Sequence, residues 1–249
     1  MFAIYRKEMR SYFINPIGYV YLGVFLVFSA LLCCYTTLIS SSYDTANYFM
    51  FLIISFIILI PILTMRLFAE ERKLRTEQLL LTAPVSTWGM VIGKFLAAFA
   101  LFLGTVLVSC INLFPIYLSG WQERAGESYS TLHIGPLTFQ VIASIVGIIL
   151  IGAAFISIGL FISSLTENQL AAAVITVSII MVFLILDVAT SALSLPTALR
   201  YVVDFLCILT RFDDFAVGML DYSNILYYLS LTGIFLLLTV RVYDRRRWA

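Results

Sequence analysis

The one stretch of this sequence that looks like a reactive loop is Gly89-Met-Val-Ile-Gly93-Lys94-Phe95. A phosphate-binding loop needs four residues between its glycines, so that backbone N–H groups can curl around the anion, and a Ser or Thr after the lysine to hold Mg²⁺. Here three residues separate the glycines and Phe95 occupies the hydroxyl position, so the loop is not built for nucleotide. Lys94 is instead expected to snorkel at the start of a membrane helix, with Gly89 and Gly93 letting another helix approach closely. Metal chemistry has no better basis. His133 is the only histidine, and Cys33, Cys34, Cys110 and Cys207 form no C-x-x-C pair. Neither H-E-x-x-H nor G-x-S-x-G occurs. Asp187 closes the apolar run 179–186 and reads either as a solvated carboxylate at a helix end or as a group on a substrate path. These absences point away from an enzyme and from any metal or cofactor bound by this chain.

The elements that must carry these groups are apolar. Of 249 residues 62% are hydrophobic and 12% charged, with 15 basic and 14 acidic side chains and a net charge of +1. A soluble domain carries about 25% charged residues, and a soluble helix breaks its apolar run every turn or two to keep one face in water. Charge-free windows at 17–39, 47–65, 95–118, 137–165, 169–186 and 224–240 each approach or exceed the length needed to cross a bilayer, about 20 residues. Together they predict an all-α integral membrane protein with six transmembrane helices. The first window is too long for the apolar core of a signal peptide and has no A-x-A-like site after it, so it is read as an uncleaved span. Near-neutral charge gives no reason to expect a nucleic-acid partner.

Lys and Arg fix the expected orientation. With the N-terminus inside, Arg6, Lys7, Arg10, Arg66, Arg72, Lys73, Arg75, Lys94, Arg241, Arg245, Arg246 and Arg247 are cytoplasmic, and Arg124, Arg200 and Arg211 are outside. Both termini are thus expected in the cytoplasm. Two cytoplasmic features stand out. Residues 1–15 place Phe2, Tyr5, Met9, Tyr12 and Phe13 on one helical face and Lys7, Arg10 and Ser11 on the other, with Arg6 between, which predicts an interfacial helix ended by Asn15-Pro16. The loop 66–88 begins with helix formers of both charges and contains Leu79-Leu80-Leu81 before Pro84. It predicts a short helix over 68–81, with Glu71, Arg72, Arg75 and Gln78 turned to the cytoplasm and Leu74 and Leu81 toward the membrane. Such a helix is either a solvated surface element or a docking site for a cytoplasmic partner.

Several segments resemble the ABC-2 type permeases, and among them the gliding-motility-associated group of bacteria. They are Tyr5-Arg6-Lys7-Glu8-Met-Arg10-Ser-Tyr-Phe-Ile-Asn15-Pro16, Met65-Arg66-Leu-Phe-Ala-Glu70-Glu71-Arg72, Leu79-Leu80-Leu-Thr82-Ala-Pro84-Val-Ser86, Gly93-Lys94-Phe95, Gly159-Leu-Phe-Ile-Ser163-Ser-Leu-Thr-Glu167-Asn-Gln169 and Phe212-Asp-Asp-Phe-Ala-Val-Gly218. One departure lies where the family usually has Gly-Thr-x-Glu and this chain has Arg75-Thr76-Glu77-Gln78. The resemblance implies one transmembrane domain over 1–249, with the interfacial helix, a coupling helix in the loop 66–88 and a re-entrant extracytoplasmic segment over 195–223. It implies the permease subunit of an exporter in the bacterial cytoplasmic membrane. Two ABC ATPase subunits would hold the ATP and Mg²⁺ and dock around Glu70, Glu71, Arg72, Arg75, Thr76, Glu77, Leu80, Thr82 and Pro84. A second permease copy would complete the transporter, and an accessory membrane protein with an extracytoplasmic domain often accompanies this group. The rival readings are an ATP-independent channel or secondary transporter, which would require intramembrane charges or inverted repeats, and a membrane scaffold for envelope assembly.

Overall fold

The computed structural model describes residues 1–39, 45–76, 86–118, 138–192 and 207–248, and among them every regular element is helical. α1 (Phe2–Ile14) stops where Asn15 turns extended ahead of Pro16, whose missing N–H cannot continue the helical ladder. α2 (Ile17–Cys33) follows and runs on into a π-helical turn, Cys34–Ile39. Next come α3 (Ala46–Thr64) and the five-residue α4 (Ala69–Lys73). α5 (Thr87–Ser109) continues through a 3₁₀ turn, Cys110–Leu113. α6 (Thr138–Leu165), α7 (Gln169–Ala192), the short α8 (Leu209–Val217) and α9 (Tyr222–Trp248) complete the chain. Six of these, α2, α3, α5, α6, α7 and α9, are long and apolar enough to cross a membrane, as the hydropathy windows require.

The boundaries move for identifiable reasons. α5 starts at Thr87 rather than at residue 95, because the Ser86 hydroxyl accepts a hydrogen bond from the Gly89 N–H (3.1 Å) and caps the helix two turns earlier. α9 runs past residue 240 to Trp248, its last turn holding Arg245, Arg246 and Arg247, helix formers whose charge suits the C-terminal end of the helix dipole. The helix expected over 68–81 is shorter: it ends at Lys73, and a turn follows through Thr76. That turn is a Schellman cap, with the Thr76 N–H donating to the Glu71 carbonyl (2.9 Å) and the Arg75 N–H to that of Arg72 (3.0 Å). Such a cap demands a left-handed residue, and Arg75 supplies it at φ 57°. The end of α8 has the same motif with the residue it favours, Gly218 at φ 95°. Glu77, Gln78, Leu80, Leu81, Thr82 and Pro84 lie outside the described residues, as do 119–137 and the first part of the expected re-entrant segment, 193–206.

α6 is the axis of the bundle. α3, α5, α7, α8 and α9 all pack on it, and it is the most enclosed of the six long helices, whereas α2, α7 and α9 keep most of their side chains outward. Small residues allow this. A Cβ on Gly152 would meet the Phe102 ring of α5, and one on Gly159 would meet Thr64 of α3, each well inside contact distance. Gly23 and Gly233 face open space. One polar link joins three of the spans: Asn112 donates to the Ser29 hydroxyl (2.7 Å), which also pairs with the Tyr48 hydroxyl (2.9 Å).

Two outcomes are expected from this packing. Gly152→Ala and Gly159→Ala should each cost about 1–3 kcal/mol through forced displacement of α5 or α3, read as a lower thermal midpoint in detergent, while Gly23→Ala and Gly233→Ala leave it unchanged. Arg75→Gly should move the other way, raising stability by about 1–2 kcal/mol by relieving a left-handed non-glycine residue.

Candidate functional site

At one end of the bundle the charged residues of five elements converge. Lys94, the sole charge between Thr87 and Leu118, does not snorkel. It is 1% exposed, and its ammonium donates to Glu8 Oε1 of α1 (2.8 Å), to the Leu67 carbonyl before α4 (2.6 Å) and to Glu71 Oε2 of α4 (3.0 Å). Those three contacts match the three N–H donors of a lysine, and the Phe68 ring lies 5.0 Å away on a further side. Burying an ammonium without partners is prohibitive, so Lys94 dictates that carboxylates come to it. Lys7 adds a second cation to Glu71 (2.8 Å) and approaches Glu8 (3.8 Å). Two lysines and two glutamates then form a locally neutral cluster. Partial burial would lower the Lys7 pKa, but the hydrogen bond and charge of Glu71, helped by Glu8 and Glu70, overcome it and hold the group above its usual value. Its stabilisation is therefore complete below the ordinary lysine pKa and lost only as pH rises through the raised one.

This requirement brings Glu8 to the inner side of α1, beside Tyr5, Met9 and Tyr12 of the aromatic pattern, which pack on the core. Ile4, Glu8 and Tyr12 turn inward, Tyr12 donating to the Leu63 carbonyl (3.1 Å), while Phe2 and Phe13 remain exposed. α1 packs on the start of α5 at Gly93, where a Cβ would crowd the Met1 carbonyl.

α4 is tied down on its other side by α6. The Ser163 hydroxyl accepts from the Phe68 and Ala69 N–H groups (3.1 and 3.2 Å) and donates to the Met65 carbonyl (3.2 Å). It thus caps α4 from a helix 94 residues away in sequence. Arg72 reaches the end of α6 and the turn after it, donating to the Leu165 carbonyl (3.1 Å) and Glu167 (2.7 Å). Arg66 and Glu70 form a bidentate pair within their own turn. α9 joins through Thr87, which donates to Asp244 (2.6 Å), and through Tyr243, whose ring lies tilted with its centroid 4.6 Å from that of Phe68.

The sequence-derived candidates accordingly divide. Glu71 and Arg72, expected to face outward, engage partners within the chain: the buried Lys94 needs a carboxylate beside it, and Glu167 lies within reach of Arg72. Lys73, Leu74, Arg75 and Thr76 are the exposed tip of the segment, and Leu74 does not turn inward. Arg6 and Arg10 are exposed on α1. Asp187 corrects the reading of a solvated helix end. It is 7% exposed and accepts from the N–H groups of Ile208, Leu209 and Thr210 (3.0, 3.0 and 3.1 Å) and from the Thr210 hydroxyl (3.0 Å). It caps α8 from α7. Sequence reasoning missed Ser163 and Asp244 as tethers and Lys94 as a hub. The available signal was that Glu8 is the only acid before Asp44 and Lys94 the only charge in α5, each in want of the other.

Residues 35–241 match the family described as ABC-2 family transporter protein. The chain belongs to that family. Comparison with curated proteins found no match. As an ABC-2 family member it is a multi-pass membrane protein and a permease subunit of an ABC transporter, a class that associates with ABC ATPase subunits and contributes the membrane passage rather than the hydrolysis.

Lys94→Met should be among the most damaging single substitutions, costing about 3–5 kcal/mol because it leaves two largely buried carboxylates, Glu8 and Glu71, to share the half-exposed Lys7 alone. Adding Glu8→Gln and Glu71→Gln to Lys94→Met should recover most of the loss, measured as folded monodisperse protein on heating in detergent. Equal stability of the single and triple variants would dismiss the charge argument.

Proposed function

We propose that this permease is an exporter subunit whose ATPase partners bear on the exposed turn Lys73–Thr76 and the segment that continues it toward residue 88. In this reading α1, α4 and the end of α9 lie in the cytoplasm, as the distribution of Lys and Arg favours. Two ATPase subunits hold ATP and Mg²⁺ below a pair of permease copies, and the cargo passes where the copies meet. An accessory protein with an extracytoplasmic domain, and export of the gliding-motility type, follow from the resemblance of the loop and N-terminal segments.

The observation that carries the proposal is the contrast between tip and base. The tip, Lys73, Leu74, Arg75 and Thr76, is exposed and carries two cations and an unsatisfied apolar side chain. The base, one to five residues back along the chain, is bonded to α1, α5 and α6 through Glu71, Ser163 and Arg72. A push on the tip would therefore pass to three elements at once rather than dissipate in a loose loop. Glu71 to Lys94 leads into α5, Lys94 to Glu8 into α1, and Arg72 to Glu167 into the α6–α7 turn. For nucleotide to drive this, the ATPase must contact the tip differently in its nucleotide-bound and free states. Glu70, Glu71 and Arg72 then act as transmitters, while Lys73, Arg75 and Thr76, with Glu77, Leu80, Thr82 and Pro84 beyond them, supply the docking surface.

The test separates tip from base. Lys73→Glu with Arg75→Glu should leave the thermal midpoint of the isolated permease unchanged but reduce transport-coupled ATP hydrolysis at least about tenfold in the reconstituted complex, the scale expected for losing charge-paired contacts at an interface. Full coupling in that variant would sink the docking assignment.

A further inference from the structure

The outward face of α1 is a consequence of the Lys94 cluster. Turning Glu8 inward removes the helix's only acid from its surface, so the exposed face carries Arg6, Lys7 and Arg10 and no carboxylate. Lys7 is committed to Glu71, whereas among the described residues no ion pair is formed by Arg6 or Arg10. These cations line an open groove of about 680 Å³ along the helix, together with Phe2, Ile14 and Asn15. Phe2 and Ile14 are 75% and 69% exposed, apolar side chains left outside the core at each end of the basic stripe. Arg6 and Arg10 are one helical turn apart, so their guanidinium groups can converge on one anion.

Position supplies the rest. Only Asn15 and Pro16 separate α1 from α2, whose run of apolar residues begins at Ile17. α1 therefore lies at the level where the hydrocarbon of a bilayer gives way to headgroups, and its inner side is already occupied by α5. A face with paired arginines between protruding apolar residues, held at that depth, is complementary to a molecule with a negative head and a greasy tail.

We propose that the groove along the outer face of α1 binds the headgroup of an anionic phospholipid, the phosphate held by Arg6 and Arg10 and the acyl chains laid against Phe2 and Ile14. The site goes beyond the coupling proposal and does not depend on it, because none of its groups belongs to the Lys73–Thr76 tip. Lipid occupancy would add an anion beside Lys7 and so reinforce the charge cluster from outside. The ligand would be a resident of the site, distinct from cargo.

The full-length permease purified in neutral detergent provides the test, with its thermal midpoint read after adding phosphatidylglycerol, phosphatidylcholine or inorganic phosphate. Phosphatidylglycerol should raise the midpoint by several degrees, and phosphatidylcholine and inorganic phosphate should not. Arg6→Gln with Arg10→Gln should keep its midpoint in phosphatidylcholine, since both side chains are exposed, and lose most of the response to phosphatidylglycerol. A second reading needs no variant. The wild-type shift should largely vanish at about 1 M salt, where screening acts within about 3 Å. Three results would each overturn the site: equal shifts from the two lipids, an undiminished response in the double variant, or a full shift from inorganic phosphate alone. The last would leave an anion site without a lipid. A failure of the coupling test, with these responses intact, would leave the lipid site standing.

Discussion

A single buried ammonium sets the geometry of the charged end. Lys94 lies in a helix that is otherwise free of charge from Thr87 to Leu118, and at 1% exposure it has no recourse to water. A cation placed there must have anions brought to it. The chain recruits Glu8 from the first helix and Glu71 from the first loop, and Lys7 restores neutrality. Elements separated by up to 86 residues are thereby fixed at one point. The inward turn of Glu8, the inward direction of Glu71 and the stripped acidity of the outer α1 face are all consequences of that one demand.

The same logic recurs where short helices need ends. A five-residue helix such as α4 has more unsatisfied backbone groups than internal hydrogen bonds, and α8 is little better off. Neither is capped by its own local side chains. Ser163 of α6 caps the first and Asp187 of α7 the second. α8 is held again at its far end by Gln140, which donates to the Ala216 carbonyl (2.7 Å), and by Tyr228, which donates to the Ile208 carbonyl (2.7 Å). Polar bonds thus concentrate at the two ends of the bundle. Along its length the contacts are those of a membrane interior, with rings and branched chains against small residues.

What the sequence made legible follows from range. Hydropathy is a local property, so six spans and their approximate limits were readable, as was the stop at Asn15-Pro16. Caps from distant helices are not local, which is why Asp187 looked like a solvated end. The turn at Arg75 illustrates the limit from another side. Its neighbours are good helix formers, but the Schellman geometry ends α4 regardless and puts an arginine at the left-handed position. The glycine that the family usually carries in Gly-Thr-x-Glu corresponds to this residue. A departure that could be noticed in the sequence acquires a meaning only when its φ is known. On α1 the periodicity placed Tyr5, Met9 and Tyr12 together, and these do pack on the core, but the inward turn of Glu8 answers to a lysine 86 residues away and was not readable locally.

The distribution of these bonds also bears on how such a bundle could move. Packed apolar faces slide at small cost, since one set of van der Waals contacts replaces another. A buried, charge-balanced knot does not slide, because any separation exposes an unpaired charge to a low-dielectric surrounding. Motion is thus expected to carry α1, α4 and the start of α5 as one body, and to take up the difference along the smooth middle of the spans. The strain held at Arg75 lies just outside that body, at its boundary with the exposed turn. A left-handed non-glycine residue has a nearby, more relaxed alternative. The turn is therefore the part of the segment that can change shape while the base keeps its bonds.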